Sequence, residues 1–300
     1  MSNRIFYAVQ NVSLSVPANA GAGLSSGWQS VGVNGTVDFE QIFELGRLDI
    51  YQNLEGVPNV EITLERVILK DGDSVWNTLG GAVTDVGNAR PNLYMSVADD
   101  GSTPYTASNF LQATGLYVSS YSVNFQIDGA MTESVTLVGN NLQWGVTDSP
   151  PTIQGSSTGN AVVTDPTADA AVIRRQDITA ASPGGKSKLQ SASFSLDFSR
   201  EDLFELGSKT PYHKAAGFPV EVTAEMEYLA TDNVTGLNFV DTNQNDITSD
   251  QTVSVTAAGL TFSMGSSARL TSSNYSGGDA GGGNATITYS YVGYNFFEIA

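Results

Sequence analysis

Cysteine is absent from this 300-residue chain, histidine occurs once, and Lys and Arg together number 13 against 31 acids. Each shortage removes a class of chemistry. Without cysteine there is no disulfide framework, no thiolate metal site and no thiol nucleophile. One histidine, His213, leaves no imidazole cluster for a metal and a single candidate base for a Ser-His-Asp triad. The formal net charge of −18 excludes nucleic-acid binding over the general surface, because phosphates are held by Lys and Arg that release counterions. Such a surface repels DNA. No stretch approaches the roughly 18 consecutive apolar residues of a membrane-spanning helix. The N-terminus MSNRIFYAVQNVSLSVP lacks a continuous apolar core with a small-residue cleavage site, so it does not read as a secretory signal, and synthesis in a cytoplasm is expected. No GxxxxGK phosphate loop occurs, and no cofactor or metal site is expected.

What is present points to strands. Charged residues are only 15% of the chain, while Gly, Ser, Thr, Asn and Val are abundant, which favours strands and turns over long helices. In NVEITLERVIL, Val60, Ile62 and Leu64 fall on one side and Glu61, Thr63 and Glu65 on the other, the period of a half-buried strand. LYVSSYSVNFQIDG alternates through Tyr117, Tyr121, Val123, Phe125 and Ile127 to a turn at Asp128 and Gly129, and ESVTLVG returns, so a long hairpin is expected. PVEVTAEMEYLA, TVSVTAAGLTFSM and ATITYSYVGYNFF read the same way.

The tetrapeptide FELG occurs twice, at Phe43 to Gly46 and Phe204 to Gly207. Four letters can recur by chance, so the flanks decide. Tyr51 and Tyr212 each fall eight residues after the phenylalanine, and Pro58 and Pro219 seven after that tyrosine, before VEIT and VEVT. Upstream, WQS at Trp28 matches LQS at Leu189, and VQNVSLSVP ending at Pro17 matches RRQDITAASP ending at Pro183. Downstream, TESVTLVGNN (Thr132 to Asn141) matches TITYSYVGYN (Thr286 to Asn295). Blocks in the same order mark a diverged tandem duplication. It divides the chain into a first β domain over 1–145, a linker over 146–169 that is rich in turn formers, and a second β domain over 170–300.

Each FELG is expected to end a short helix. Asp38 with Gln41, and Ser199 with Asp202, suit a capping box, while Gly46 and Gly207 suit the position after a helix. Ile42, Phe43 and Leu45, matched by Leu203, Phe204 and Leu206, would then lie against a sheet. Pro211 replaces Ile50 and predicts an edge or irregular strand in the second copy. The stretch DGDSVWNTLGGAVTDVGNARP has no counterpart in the second half, and SSNYSGGDAGGGN, Ser272 to Asn284, reads as an inserted loop.

Few residues invite chemistry. His213 stands where the first copy has Gln52, so nothing common to both copies depends on it, and a strand-end histidine is the plainer reading. DTNQND at Asp241 to Asp246 lacks the central glycine of a calcium loop and has Thr252 at its twelfth position, which leaves a polar turn. Five Asn-x-Ser/Thr sequons, Asn11 and Asn233 among them, follow from composition. Arg174 and Arg175, the only basic doublet, suit either a salt-bridged strand face or a contact to a neighbouring subunit's acids.

The same residues carry a resemblance. FEQIFELGRLDIYQNLEGVPNVEITLERVI, followed by YSVNFQIDGAMTESVTLVGNNLQW, resembles the tail tube proteins of tailed bacteriophages, especially the larger duplicated ones. The resemblance spans roughly Phe6 to Trp144 and Val172 to Phe297 and rests on structural residues. It implies a mainly β fold of two tandem sandwich or barrel domains, each with one short flanking helix. It further implies a virion structural protein without enzymatic activity that partners itself, as trimers of pseudo-sixfold symmetry, and other tail proteins such as sheath, baseplate or terminator. Genomic DNA would pass through an acidic lumen without specific binding. Two alternatives stand beside it: a baseplate or tail-completion protein that forms one ring, and a carbohydrate-binding surface protein using some of the 12 tyrosines and 3 tryptophans as stacking platforms.

Overall fold

A computed structural model of the chain describes residues 10–16, 23–24, 26–46, 48–70, 74–97, 109–146, 171–185, 188–230, 250–277 and 284–300. Asp99 to Gly101, Asp241 to Asp246, Asn233 and all of the linker except Val146 lie outside the described residues.

The first half supplies β1 (Gln10–Ser15), β2 (Gly23–Leu24), β3 (Trp28–Thr36), β4 (Phe39–Phe43), β5 (Ile50–Glu55) and β6 (Asn59–Val67). Helices α1 (Val75–Leu79) and α2 (Val83–Asn88) follow, then β7 (Asn92–Val97), β8 (Asn109–Ala113), β9 (Tyr117–Gln126), β10 (Thr132–Gly139) and β11 (Leu142–Val146). After a 3-10 turn at Arg175–Asp177, the second half supplies β12 (Ile178–Ser182), β13 (Leu189–Asp197), β14 (Glu201–Leu203), β15 (His213–Ala215) and β16 (Glu221–Leu229). It ends with β17 (Ser254–Ala257), β18 (Leu260–Ser263), β19 (Arg269–Ser276), β20 (Thr286–Tyr294) and β21 (Glu298–Ile299). The fold is mainly β, as expected.

Period-two alternation builds one large antiparallel sheet. Along β6, Val60, Ile62, Leu64 and Arg66 are buried and Asn59, Glu61, Thr63 and Glu65 are exposed. β10 alternates similarly and pairs with β9 as the expected hairpin. The eight strands run β19-β20-β16-β13-β9-β10-β6-β3. The first half therefore contributes four and the second half four, joined through β13 and β9. Two smaller sheets, β11-β8-β7-β1-β2 from the first half and β12-β17-β18-β21 from the second, supply much of the remaining buried apolar surface.

The core crosses the junction between halves. Phe125 of β9 packs edge-on against Phe262 of β18 at 5.0 Å and against Phe194 of β13 at 6.2 Å, and Trp76 of α1 meets Phe297 at 5.0 Å. Gly139 and Gly293, the repeated glycines of VGNN and VGYN, lie where a residue beneath presses in. A Cβ on Gly139 would sit 2.7 Å from Leu116 Cδ2, and one on Gly293 would sit 3.2 Å from Met264 Cε.

The FELG segments are hairpins instead of helix ends. Phe39 to Phe43 is strand β4, paired with β5, and Glu201 to Leu203 is strand β14, paired with β15. Phe43, Leu45, Phe204 and Leu206 are exposed, Leu45 and Leu206 fully, and do not pack on the large sheet. Gly46 and Gly207 do turn the chain, with φ of 92° and 97°. A left-handed glycine suits a β-turn as well as a helix end, which is why the cue misled. A helix this short also holds only when packing supports it, and these segments have none. Pro211 acts as expected: β15 starts after it and spans three residues against six in β5. Both α-helices instead occupy the stretch without a counterpart, where Ser74 caps α1 by accepting from the Asn77 amide at 3.0 Å. The expected loop at Ser272 to Asn284 begins as strand, since Ser272 to Ser276 belong to β19.

Candidate assembly surfaces

Strand registers show how the two halves correspond in space. In the first half, Trp28 faces Arg66 and Ser30 faces Glu65, with Gln29 bulged between them. In the second, Leu189 faces Tyr228 and Ser191 faces Glu227, with Gln190 bulged. The bulge keeps a side-chain bond in both places: Ser30 to Glu65 at 3.3 Å and Ser191 to Glu227 at 3.3 Å. A second bulge repeats at Ser119 of β9 and Thr271 of β19. Strands β9, β10, β6 and β3 thus correspond to β19, β20, β16 and β13. VEIT and VEVT, aligned by sequence, sit two residues apart by register, a slip that keeps every side chain on its face.

The order of the large sheet is therefore head to tail. Within one chain β13, the last strand of the second repeat, pairs with β9, the first strand of the other. The remaining edges are β19 and β3, strands of the same two kinds. Chain contacts beyond the strands reinforce the internal junction. The Phe198 amide donates to the Ser119 carbonyl at 2.8 Å, and Arg200 donates to the carbonyls of Val118 and Gly87 at 2.7 Å each. Desolvation lowers the Arg200 pKa to about 10. Lys209 meets Glu55 at 3.0 Å.

One face of the large sheet, uncovered among the described residues, is polar and acidic. It presents Ser30, Gly32 and Asn34 of β3, Glu61, Thr63 and Glu65 of β6, Ser134 and Thr136 of β10, and Ser120, Ser122 and Asn124 of β9. The second half continues it with Ser193, Ser195 and Asp197 of β13, then Glu221, Thr223, Glu225 and Glu227 of β16. The basic residue in these rows, Arg269 at the corner of β19, is paired with Asp250 at 2.9 Å.

The two hairpins expose apolar surface. Phe39, Phe43, Leu45, Leu48, Ile50, Tyr51 and Leu54 are exposed on β4–β5 and its turn, and Phe204, Leu206 and Tyr212 on β14–β15. Large apolar side chains gathered on an exposed hairpin mark a candidate interaction surface.

The other candidates separate. Pro58 and Pro219 precede β6 and β16. Arg174 and Arg175 begin the 3-10 turn; Arg175 reaches Asp128 at 4.0 Å, and both are exposed. His213 Nδ1 lies 3.2 Å from both Arg90 and the Tyr117 hydroxyl. These are a cation and a phenol, where a triad requires a carboxylate and a serine. Arg90 can only donate, so toward it Nδ1 takes the accepting role. Trp76 is fully buried and Trp28 half-buried, which leaves Trp144 as the exposed tryptophan. Among the described residues no group of His, Asp and Glu is placed to hold a metal, and no helix is long and apolar enough to cross a membrane. Sequence reasoning missed the edge strand β19 and the acidic face as a continuous surface. The repeat alignment carried the signal for the first, and the Glu alternation in β6 and β16 for the second.

No known protein family and no curated protein matches the chain. Among solved structures it is similar to a chain of the anti-feeding prophage baseplate, determined by cryo-electron microscopy with sixfold symmetrisation, at a TM-score of 0.33 and 13% identity, covering 49% of this chain and 99% of that one.

Proposed function

We propose that this chain is a structural, non-catalytic subunit of a phage tail tube, assembling edge to edge into closed rings that stack. The head-to-tail sheet carries the reading. A strand pair that joins two repeats within a chain, repeated between chains, is a heterologous contact, and such contacts propagate until rotation closes them. Among the described residues the two edges are long strands of eight and nine residues that pair on one side only, and pairing removes the liability such edges would pose in a monomer. Six repeat positions, as the resemblance implies, are filled by three duplicated chains.

The small sheets occupy the outer radius, where a curved double layer has more room, and the uncovered face turns inward. Three eight-stranded sheets make a barrel wider than the roughly 16 to 18 strands that already enclose an aqueous channel. Its wall of Ser, Thr, Asn and Glu repels the phosphate backbone, so DNA slides without adhering. The apolar hairpins suit contacts between stacked rings, which favours a tube over a ring that stops.

Sedimentation and negative-stain imaging of the purified protein test this. The expected result is rings of three chains that lengthen into hollow tubes. Monomers at every concentration overturn the reading, and single rings that never stack convert it to a baseplate or completion role.

A further inference from the structure

On the basis of that ring, we propose that the junction between chains repeats the internal β13–β9 register with partner chemistries exchanged, so that β3 of one copy accepts only β19 of the next. Carrying the internal register onto the free edges sets Val31 opposite Gly277, Val33 opposite Tyr275, Asn34 opposite Asn274, and Thr36 opposite Ser272.

Two contacts of the internal junction have complementary but exchanged counterparts, and a third changes from charged to apolar. Inside the chain, Phe194 of the second repeat lies opposite Val123 of the first. Between chains the aromatic changes sides: Val33 belongs to the first repeat and Tyr275, 65% exposed, to the second. Inside the chain, the Arg200 guanidinium sits 5.4 Å from the Tyr117 ring centre. The matching positions are Phe39, 63% exposed, and Arg269, whose side chain is 67% exposed, so cation and ring exchange strands. Finally, Lys209 and Glu55 form an ion pair inside the chain, whereas the matching positions are Leu48, fully exposed, and Ala216. The Leu196–Tyr121 pair becomes Gly35 and Ser273, small on both strands, where Leu142 lies 3.5 Å from the place of a Cβ on Gly35.

The exchange supplies specificity, because the wrong pairings are all poor. β13 against β19 would oppose Phe194 with Tyr275 and Arg200 with Arg269, an overpacked pair and a like-charge pair. β3 against β9 would oppose Val33 with Val123, two small side chains, and bring Phe39 to Tyr117 with no cation from the partner strand. A copy can therefore neither displace its neighbour's internal junction nor join by two like repeats.

The absence of native cysteine allows a clean test by oxidative cross-linking of assembled protein. Residues directly opposite in antiparallel strands have Cα atoms about 4.5 to 5.5 Å apart, within disulfide reach, while neighbours two residues away are not. Within one chain the two positions lie at opposite edges of the eight-stranded sheet, so a bond between them is intermolecular. Val33→Cys with Tyr275→Cys is expected to give a covalent ladder that ends at three chains, while Val33→Cys with Ser273→Cys or Gly277→Cys reacts far more slowly. Rings that form but cross-link fastest through a shifted pair overturn the register and leave the ring intact; a wild-type chain that never associates overturns both. Phe39→Ala and Arg269→Ala are each expected to raise the concentration for half-assembly roughly 2- to 10-fold, with the double variant no worse than the stronger single one. Fully additive effects overturn the exchanged pair.

Discussion

Where the first half places Arg66, Glu133 and Tyr121 beneath its part of the large sheet, the second half places Tyr228, Ile287 and Ser273 at the matching strand positions. Arg66 and Glu133 form a fully buried ion pair at 2.9 Å. The carboxylate also accepts from the Val75 amide at the start of α1 at 3.0 Å and from the Tyr121 hydroxyl at 2.9 Å. Burial raises the Glu133 pKa above its ordinary value, against the pull of Arg66, the Val75 amide and Tyr121. Among the described residues the second half has no α-helix to anchor there. Its tyrosines close the site instead: Tyr228 packs on Tyr289 at 6.1 Å and donates to the Pro183 carbonyl at 2.6 Å. Both halves keep the bulges and the Ser–Glu bonds that hold the backbone in register, and they differ in how the space under it is filled. Hydrogen-bonded register tolerates little change because a slip reverses faces, whereas a core accepts any filling that conserves volume and satisfies its polar atoms.

The largest expected effect breaks this comparison directly. Glu133→Ala breaks the buried ion pair to Arg66 and removes the carboxylate that accepts from the α1 amide, and should cost about 3 to 5 kcal/mol in urea unfolding. Ile287→Ala, at the matching place, should cost about 2 kcal/mol because only packing is lost. Converting the first site to the second, with Arg66→Tyr and Glu133→Ile together, should recover part of the loss. The remainder belongs to the Val75 amide and the Tyr121 hydroxyl.

Alkaline titration sharpens the other side. Burial, with the nearby Tyr289 adding to it, pushes the Tyr228 pKa up to about 12. An unfolded tyrosine loses its proton near pH 10, so above that the unfolded state binds fewer protons than the fold and stability falls until about pH 12. The expected loss from this residue is about 2 kcal/mol, and Tyr228→Phe should reduce the slope of denaturation curves between the two values by that share, the rest coming from Tyr291, Tyr121 and Tyr94, whose pKa values burial also raises.

A smaller contrast comes from the paired glycines. Gly139→Ala should destabilise by about 1 to 2 kcal/mol, because its Cβ meets Leu116 at 2.7 Å, and Gly293→Ala by less, because Met264 lies at 3.2 Å and its terminal methyl can move. The smallest effect is expected at the hairpin tips. Leu45→Ser and Leu206→Ser should change thermal unfolding of the isolated chain by no more than about 0.5 kcal/mol, since both residues are fully exposed. Stacking into tubes is the readout they should impair.

Much of the fold was legible without coordinates. Alternation in β6, β9, β10 and β16 reported strands because one face of the sheet is buried, and the matched blocks pointed to strands whose register shifts recur in both halves. The helices were not legible. Two short segments in an unmatched insert carry only one local cap, Ser74, and are otherwise held by Glu133 on the Val75 amide and by Tyr121 and Phe297 packed on Trp76, all from distant parts of the chain. FELG was misread because a glycine with positive φ closes a hairpin as readily as a helix.

The amino-acid order alone determined the strand periodicity, the acidic excess and the existence of two related copies, since each is a property of neighbours along the chain. Only the tertiary structure decided that the copies join head to tail through β13 and β9, that Glu61, Glu65, Glu221, Glu225 and Glu227 share one open face, and that the FELG hairpins project their apolar residues outward. Those outcomes depend on which strands meet across the sheet, and backbone hydrogen bonds between distant residues leave no period in the sequence that would announce them.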